Sequence, residues 1–231
     1  MPVARVPEQA SVSGHRARLR DRLLKAGPDA LNDQDLLEIT LFVALPRRDT
    51  KHIAKRLLER FKSFAGAIAA PPAELAGVDG LGTAGIAALK TVQAAAQRLV
   101  RAEVTDKELL SDWERLMRYL NAELAREKTE QFRILFLDTR NRLKADEVQS
   151  RGTVNHTAVY PREVAKRALE LSASAVILVH NHPSGDPAPS AEDVAMTKEV
   201  AAALSTISVV LHDHIIVGNG CWTSLRREGL L

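Results

Sequence analysis

The hydrophobic pattern of this chain changes once along its length, and that change limits what it can fold into. From residue 17 to 104 apolar side chains recur at helical spacing. Leu36, Leu37, Ile39, Leu41 and Phe42 form one stripe, and Ile53, Leu57, Leu58 and Phe61 another. Residues 83–101 are rich in Ala, Leu and Gln, strong helix formers. Pro71-Pro72 and the run Gly77-Val78-Asp79-Gly80-Leu81-Gly82 punctuate this region. Residues 103–108 are polar and mixed in charge, as a linker would be. Beyond them, short β-branched and aromatic runs alternate with helical patterns. Ser111-Asp112-Trp113-Glu114 has capping-box spacing and predicts a helix to about Ala125. Residues 132–137 read as a strand, Asp138-Thr139-Arg140-Asn141 as a turn, and a second strand follows through Val148. Pro161 opens a helix with Val164, Ala168, Leu169 and Leu171 on one face. Residues 175–179 are a buried strand and Ser190 opens another helix. Residues 207–212 and 215–217 predict two more strands, and Asn219-Gly220 a hairpin turn before residues 221–223.

The organisation expected is a basic disordered tail (1–15), an all-α region (16–104) and one α/β domain (109–231). The net charge of +3 and the pI of about 9.1 suggest an anionic partner until they are resolved by segment. Residues 1–25 carry six basic and two acidic side chains, whereas residues 111–231 carry fifteen and sixteen. The basicity therefore belongs to the N-terminus. A single cysteine, Cys221, excludes an internal disulfide and a multi-cysteine zinc site. It points to a reducing, cytoplasmic setting. No apolar run approaches the roughly 18 residues of a membrane helix, and no h-region of a secretory signal follows the first arginines. Aromatic residues make up 4%, too few for a platform that stacks single-stranded bases.

The segment that carries chemistry is His180-Asn181-His182-Pro183-Ser184-Gly185-Asp186-Pro187-Ala188-Pro189-Ser190-Ala191-Glu192-Asp193. Two histidines at i and i+2 after a strand point to the same side of it, because strand side chains alternate. Together they can bind one divalent metal. A turn restrained by three prolines and a glycine leads into a helix, with Asp193 in its first turn as an oxygen ligand. Two nitrogens and one carboxylate leave a fourth tetrahedral position open, the arrangement of a catalytic zinc. That position holds a water whose pKa the metal lowers to about 7. Ser190-x-x-Asp193 is equally a helix cap, and the two roles are compatible. His-Glu-x-x-His is absent, which excludes a thermolysin-type site.

These residues resemble the metal site of the JAMM/MPN metalloprotease-like family, in the form found in its bacterial RadC-like (UPF0758) branch. Pro161-Arg162-Glu163, Asp213-His214-x-Ile216-Val217-Gly218 and Ser224 extend the likeness, close over residues 109–231 and looser before them. The resemblance implies an MPN (cytidine-deaminase-like) mixed sheet flanked by helices, preceded by a helix-hairpin-helix-like region. It also implies a Zn2+ held by His180, His182 and Asp193, a serine (Ser190) that stabilises an oxyanion, and an upstream glutamate as general base. Glu130, just before the first strand, is the choice for the base, with Glu127 and then Glu163 as alternatives. The implied activity is hydrolysis of a peptide or isopeptide, with neither substrate nor oligomeric state specified. The alternative is a DNA-associated repair or recombination module whose metal site is structural or vestigial.

Several polar residues stand around this set. Asp186 either supports an imidazole or stabilises its own turn. Asp213 and His214 either orient the site or bond a neighbouring loop. His156 falls in a polar loop that faces solvent, and Cys221 reads as a small core residue on a late strand. In the helical region, residues 77–84 lie in a stretch, near 75–100, that resembles a helix-hairpin-helix motif. Backbone amides around Gly80 and Gly82 could hold a phosphate there. Gly85 stands where a basic residue often follows such a hairpin, and no Lys or Arg occurs between Lys62 and Lys90. A plain packing unit is the other reading. The denser basic surface is Arg47, Arg48, Lys51 and Lys55 with Arg56, Arg60 and Lys62, a candidate DNA contact or a solvated helix face.

Overall fold

A computed structural model describes residues 8–104, 108–151 and 159–231. The chain divides into two compact units, Met1–Ala95 and Ala96–Leu231.

The first unit is helical. Helix α1 (Glu8–Ala26) is followed by α2 (Asp33–Ala44), α3 (Lys51–Phe61), α4 (Phe64–Ala69) and α5 (Pro72–Ala76), and α6 (Gly82–Val104) begins in this unit. The tail expected over residues 1–15 is thus helical from Glu8 on, and residues 1–7 lie outside the described residues. Of the basic side chains in residues 1–25, Arg16 and Arg22 contact α2 or the turn after it. Arg16 donates to the carbonyls of Leu45, 3.0 Å, and Pro46, 2.6 Å, just past α2, and Arg22 pairs with Asp35. Asn32 caps α2 in a full capping box with Asp35. The apolar stripes of α2 and α3 meet: Leu37, Leu41, Ile53 and Leu57 are buried together with Leu75, Leu81 and Leu89. Of the four, Leu37, Leu41 and Leu57 have no exposed surface.

The second unit is a five-stranded sheet between helical layers. Its strands are β1 (Gln131–Leu137), β2 (Leu143–Arg151), β3 (Ala175–Asn181), β4 (Val210–Val217) and β5 (Trp222–Ser224), in spatial order β2-β1-β3-β4-β5. Only β3 and β4 are parallel. Helix α7 (Trp113–Leu124) covers one face, packing Leu116, Leu120 and Leu124 on Leu135, Ile177, Val179 and Ile215. The end of α6 joins that core through Val100 and Val104, so the division between the units falls inside a helix and ahead of the expected linker. Helices α8 (Pro161–Glu170) and α9 (Ala191–Ser205) bury Val164, Ala168, Val200 and Leu204 against Phe132, Ile134, Val176 and Leu178 on the other face. The central strand β3 is therefore apolar on both sides, and all seven of its residues are buried.

Local chemistry sets the element ends. Asp112, not Ser111, caps α7 by accepting from the Arg115 amide at 2.9 Å; the Ser111 hydroxyl turns back to Glu108 O. In the β1–β2 turn Asp138 Oδ1 accepts from the amides of Arg140 and Arg142, with Asn141 at φ +56°. On α8, Val164 and Ala168 are buried as expected, but Leu169 is exposed. The two strands expected over 207–217 are one, β4, with a bulge: Val176 pairs with Leu211 and Ile177 with Asp213. The extra residue reverses the side-chain alternation. It brings His214 to the same face as Leu211, opposite Leu178. Cys221 is exposed and precedes β5, so it is not a core residue. His156 lies outside the described residues, and no described helix is long and apolar enough to cross a membrane.

Candidate metal centre

The site lies at the carboxyl end of β3, where the strand leaves the sheet and the chain turns into α9. His180 is the penultimate strand residue and is 1% exposed. His182, one residue past the strand, is held to the sheet by its own amide, which donates to Val217 O at 3.0 Å. The alternation expected from i, i+2 spacing brings the rings together, Nε2 to Nε2 at 3.0 Å. Asp193 meets them from the first turn of α9, with Oδ1 3.3 Å from His180 Nε2 and Oδ2 3.7 Å from His182 Nε2. The potential ligand atoms of His180, His182 and Asp193 all lie within 4.8 Å of one another.

Two close backbone approaches make the turn. Gly185 sits at φ +88°, in the left-handed region, and its carbonyl accepts from the Asn219 amide at 3.2 Å. A Cβ on Gly218 would lie 2.3 Å from that same carbonyl oxygen. Gly185 and Gly218 thus let the 183–189 loop pack on the end of β4.

The helix cap formed by Ser190 and Asp193 is compatible with an Asp193 carboxylate turned toward the histidines. The Asp193 amide donates to Ser190 Oγ at 3.0 Å, and Asp193 Oδ2 accepts from the Ser190 amide and hydroxyl at 2.8 and 2.7 Å. Oδ1 stays directed at His180. Ser190 is exposed at the rim.

Electrostatics tune the three groups apart. Burial pushes the His180 imidazole down to about 4, against the nearby Asp193 charge. The Asp193 carboxylate raises His182, against its partial burial, and Glu130 adds to the rise. Burial alone would raise Asp193, but His182, the charge of His180 and the Ser190 hydrogen bonds hold it well below the usual carboxylate range.

This donor set fits zinc. His182 Nδ1 lies 2.8 Å from the main-chain carbonyl of Asp186, an oxygen that can only accept. Nδ1 therefore carries a proton, and in the neutral ring Nε2 presents its lone pair to His180 and Asp193. Two imidazole nitrogens and a carboxylate oxygen are the protein ligands of a zinc with an open position. His180 closes the site on the sheet side, whereas the side chains of His182 and Asp193 are 21% and 17% exposed.

The other expected residues divide. Glu130 ends the segment before β1 and is half-buried, close enough to His182 to act on its charge. Glu127 lies on the same segment, where its carbonyl accepts from Asn181 Nδ2 at 3.2 Å. Glu163 is exposed on α8 and paired with Arg162. Asp186 supports His182 through its main chain, while its carboxylate accepts from the Ala188 amide at 3.0 Å within the turn. His214 reaches the site: its Nε2 is 2.8 Å from His180 Nδ1. Asp213 does not, because its carboxylate is occupied by the Ser224 hydroxyl at 2.5 Å and the Arg226 amide at 3.1 Å.

Three contributors gave no signal that singled them out in the sequence. Asn181, between the histidines, points to the opposite side. There its Oδ1 accepts from the Gln131 amide at 2.9 Å and its Nδ2 donates to Thr129 O at 3.2 Å, which fastens the segment carrying Glu130. Phe132 stacks on His180 and meets His214 edge-on, with centroids 5.9 and 5.6 Å apart. Thr197, one helical turn after Asp193 and fully buried, places its hydroxyl 2.6 Å from His214 Nδ1.

Arg47, Arg48, Lys51 and Lys55 are exposed. Arg48 donates to Gly80 O at 3.2 Å and Arg56 to Asp79 O at 2.9 Å, so two guanidinium groups border the turn between α5 and α6. Gly80 and Gly82 both have positive φ there.

The mixed sheet, its helical layers and the His-His-Asp cluster define a JAB/MPN-type domain. Residues 110–230 match the family model of the RadC-like JAB domain, and residues 13–87 match that of the UPF0758 N-terminal region. The chain belongs to the RadC-like UPF0758 family. It is 55% identical to a UPF0758 protein of Rhodobacter capsulatus over 92% of this chain and 100% of that protein. It is 49% identical to one of Ruegeria pomeroyi over 95% of this chain and 98% of that protein.

Proposed function

We propose that the protein is a zinc-dependent hydrolase of amide bonds, of the metallopeptidase or isopeptidase type. The observation that carries this reading is the convergence of His180 Nε2, His182 Nε2 and the Asp193 carboxylate beside an open, solvent-facing position. His180, His182 and Asp193 would hold the zinc, which would supply an activated water and a Lewis acid for the substrate carbonyl. Glu130 takes a proton from the attacking water and returns it to the leaving amine, a contribution of order 10²–10⁴-fold. Its segment is braced from both sides by Asn181. The Ser190 hydroxyl, at the rim, rotates from Asp193 to donate to the oxyanion. The buried His180 keeps one side of the site dry.

The test uses the full chain reconstituted with zinc and a panel of peptides and isopeptide-linked conjugates. Cleavage that falls at least 100-fold in Glu130→Gln, with Glu127→Gln near wild type, supports the assignment. Full activity in Glu130→Gln contradicts it.

A second reading concerns the helical unit. Gly85 supplies no basic side chain after the turn, but Arg48 and Arg56 flank the glycine-rich turn itself. That arrangement favours sequence-independent contact with the phosphates of duplex DNA. Binding should then fall steeply with salt and weaken when Arg47, Arg48, Lys51 and Lys55 are neutralised. Unchanged affinity would exclude it.

A further inference from the structure

His180 is buried and has two chemically different nitrogens, and its surroundings decide whether a lone pair or a proton faces His182 and Asp193. We propose that Thr197 and His214 are positioning residues that form a directed hydrogen-bond relay, which fixes the His180 tautomer and thereby sets metal affinity. The proposal rests on the reading of His180, His182 and Asp193 as a metal centre.

The direction of the relay follows from its first atom. The main-chain carbonyl of Asp193 has no proton, and Thr197 Oγ1 lies 2.5 Å from it. Two oxygens that close require a proton between them, so the hydroxyl donates to the carbonyl. A threonine hydroxyl has one proton. Toward His214 Nδ1, 2.6 Å away, it can therefore only accept, and Nδ1 carries the hydrogen. His214 has no exposed surface, a place where an unpaired charged ring is costly, so its ring carries a single hydrogen. Its Nε2 is then a bare acceptor, 2.8 Å from His180 Nδ1. His180 must donate from Nδ1, which leaves its Nε2 bare, facing His182 Nε2 at 3.0 Å and Asp193 Oδ1 at 3.3 Å.

The relay thus begins and ends on ligand residues. Asp193 supplies a carboxylate oxygen to the site and a carbonyl that polarises the opposite side of His180. Thr197 is placed for this by the i, i+4 geometry of α9, and His214 by the bulge in β4. Phe132 holds both rings in their planes. Such partners of ligating histidines typically affect metal affinity 10–100-fold.

The test has two arms on the full chain. In the first, zinc affinity is measured by competition with a chelator. Thr197→Val keeps the shape and removes the hydroxyl; it should bind zinc 10–100-fold more weakly, and Thr197→Ser should restore affinity to within a few-fold. Equal affinity in wild type and Thr197→Val would overturn the relay. In the second, imidazole ¹⁵N resonances of the metal-free wild type are assigned. Both His180 and His214 should carry the proton on Nδ1, and an Nε2–H form of His214 would overturn the proposal even if Thr197→Val fails to fold. The two readings fail separately. A wild type that binds no zinc removes the metal centre but leaves the tautomers measurable, and zinc binding without hydrolysis leaves the relay intact.

Discussion

The two units treat buried polar groups differently. In the helical unit several polar side chains end on structural partners, although the buried Thr50 hydroxyl has none among the described residues. Arg16 closes the end of α2, Lys90 donates to the carbonyls of Ile68 and Ala70 at the end of α4, and Glu38 accepts from His15 and Gln34. The α/β unit has clusters of that kind too, such as the one around Arg133. Arg133 forms a two-point contact with Asp146 at 2.9 and 2.8 Å, reaches Glu123 at 3.1 Å, and Tyr119 donates to Asp146. The histidine cluster differs: the Nδ1 atoms of its histidines are bonded, but their Nε2 atoms face one another and a carboxylate. The lesson is that a site differs from a structural cluster in its uncommitted lone pairs, not in its burial or its number of charges.

This contrast can be broken most sharply through stability, because both tryptophans, Trp113 and Trp222, lie in the α/β unit and report on it selectively. Removing Arg133 leaves Asp146 buried without its cation. Arg133→Ala should cost about 3–5 kcal/mol, read as a lower urea midpoint of tryptophan fluorescence. In the helical unit the corresponding loss is apolar. Leu41→Ala should cost about 2–5 kcal/mol, seen in the helical circular dichroism, with zinc affinity unchanged. A large effect on zinc binding would mean that the two units are not separate in function.

Zinc itself sharpens the comparison. Free zinc at about 100 times its Kd should stabilise the α/β unit by about 2.7 kcal/mol and raise the fluorescence transition without moving that of the helical unit. No shift at saturating zinc would place the cluster with the structural ones. The smallest expected effect is that of Ser190→Ala, about 1 kcal/mol from the lost helix cap. If Ser190 also serves the oxyanion, catalysis should fall further than stability does.

The His180, His182 and Asp193 cluster was legible because it is local. Strand alternation sets His180 and His182 side by side, and a capped helix start delivers Asp193 within fourteen residues of sequence. The supports were not, because they depend on register. His214 is 34 residues from His180, and its side of the sheet is fixed by a bulge that no local pattern announces. The polar pair Asp213-His214 instead suggested a break between two strands. Thr197 lies mid-helix with no local pattern that marks it, and Asn181 was read only as part of the His180-Asn181-His182 motif. The start of α1 was hidden by Ser11, Ser13 and Gly14, weak helix formers whose propensity opposes the observed helix. Cys221 was misplaced for a related reason: its neighbours are strand-like, but it belongs to the turn that contacts Gly185, with Sγ 3.3 Å from that carbonyl.

The central claim, that His180, His182 and Asp193 form a zinc site with an open position, is tested most directly by zinc stoichiometry and X-ray absorption on the full chain. The expected result is one zinc per chain with two imidazole nitrogens and oxygen ligands completing a tetrahedron, lost in His180→Ala. Failure to bind zinc stoichiometrically, or a sulfur ligand from Cys221, would contradict it.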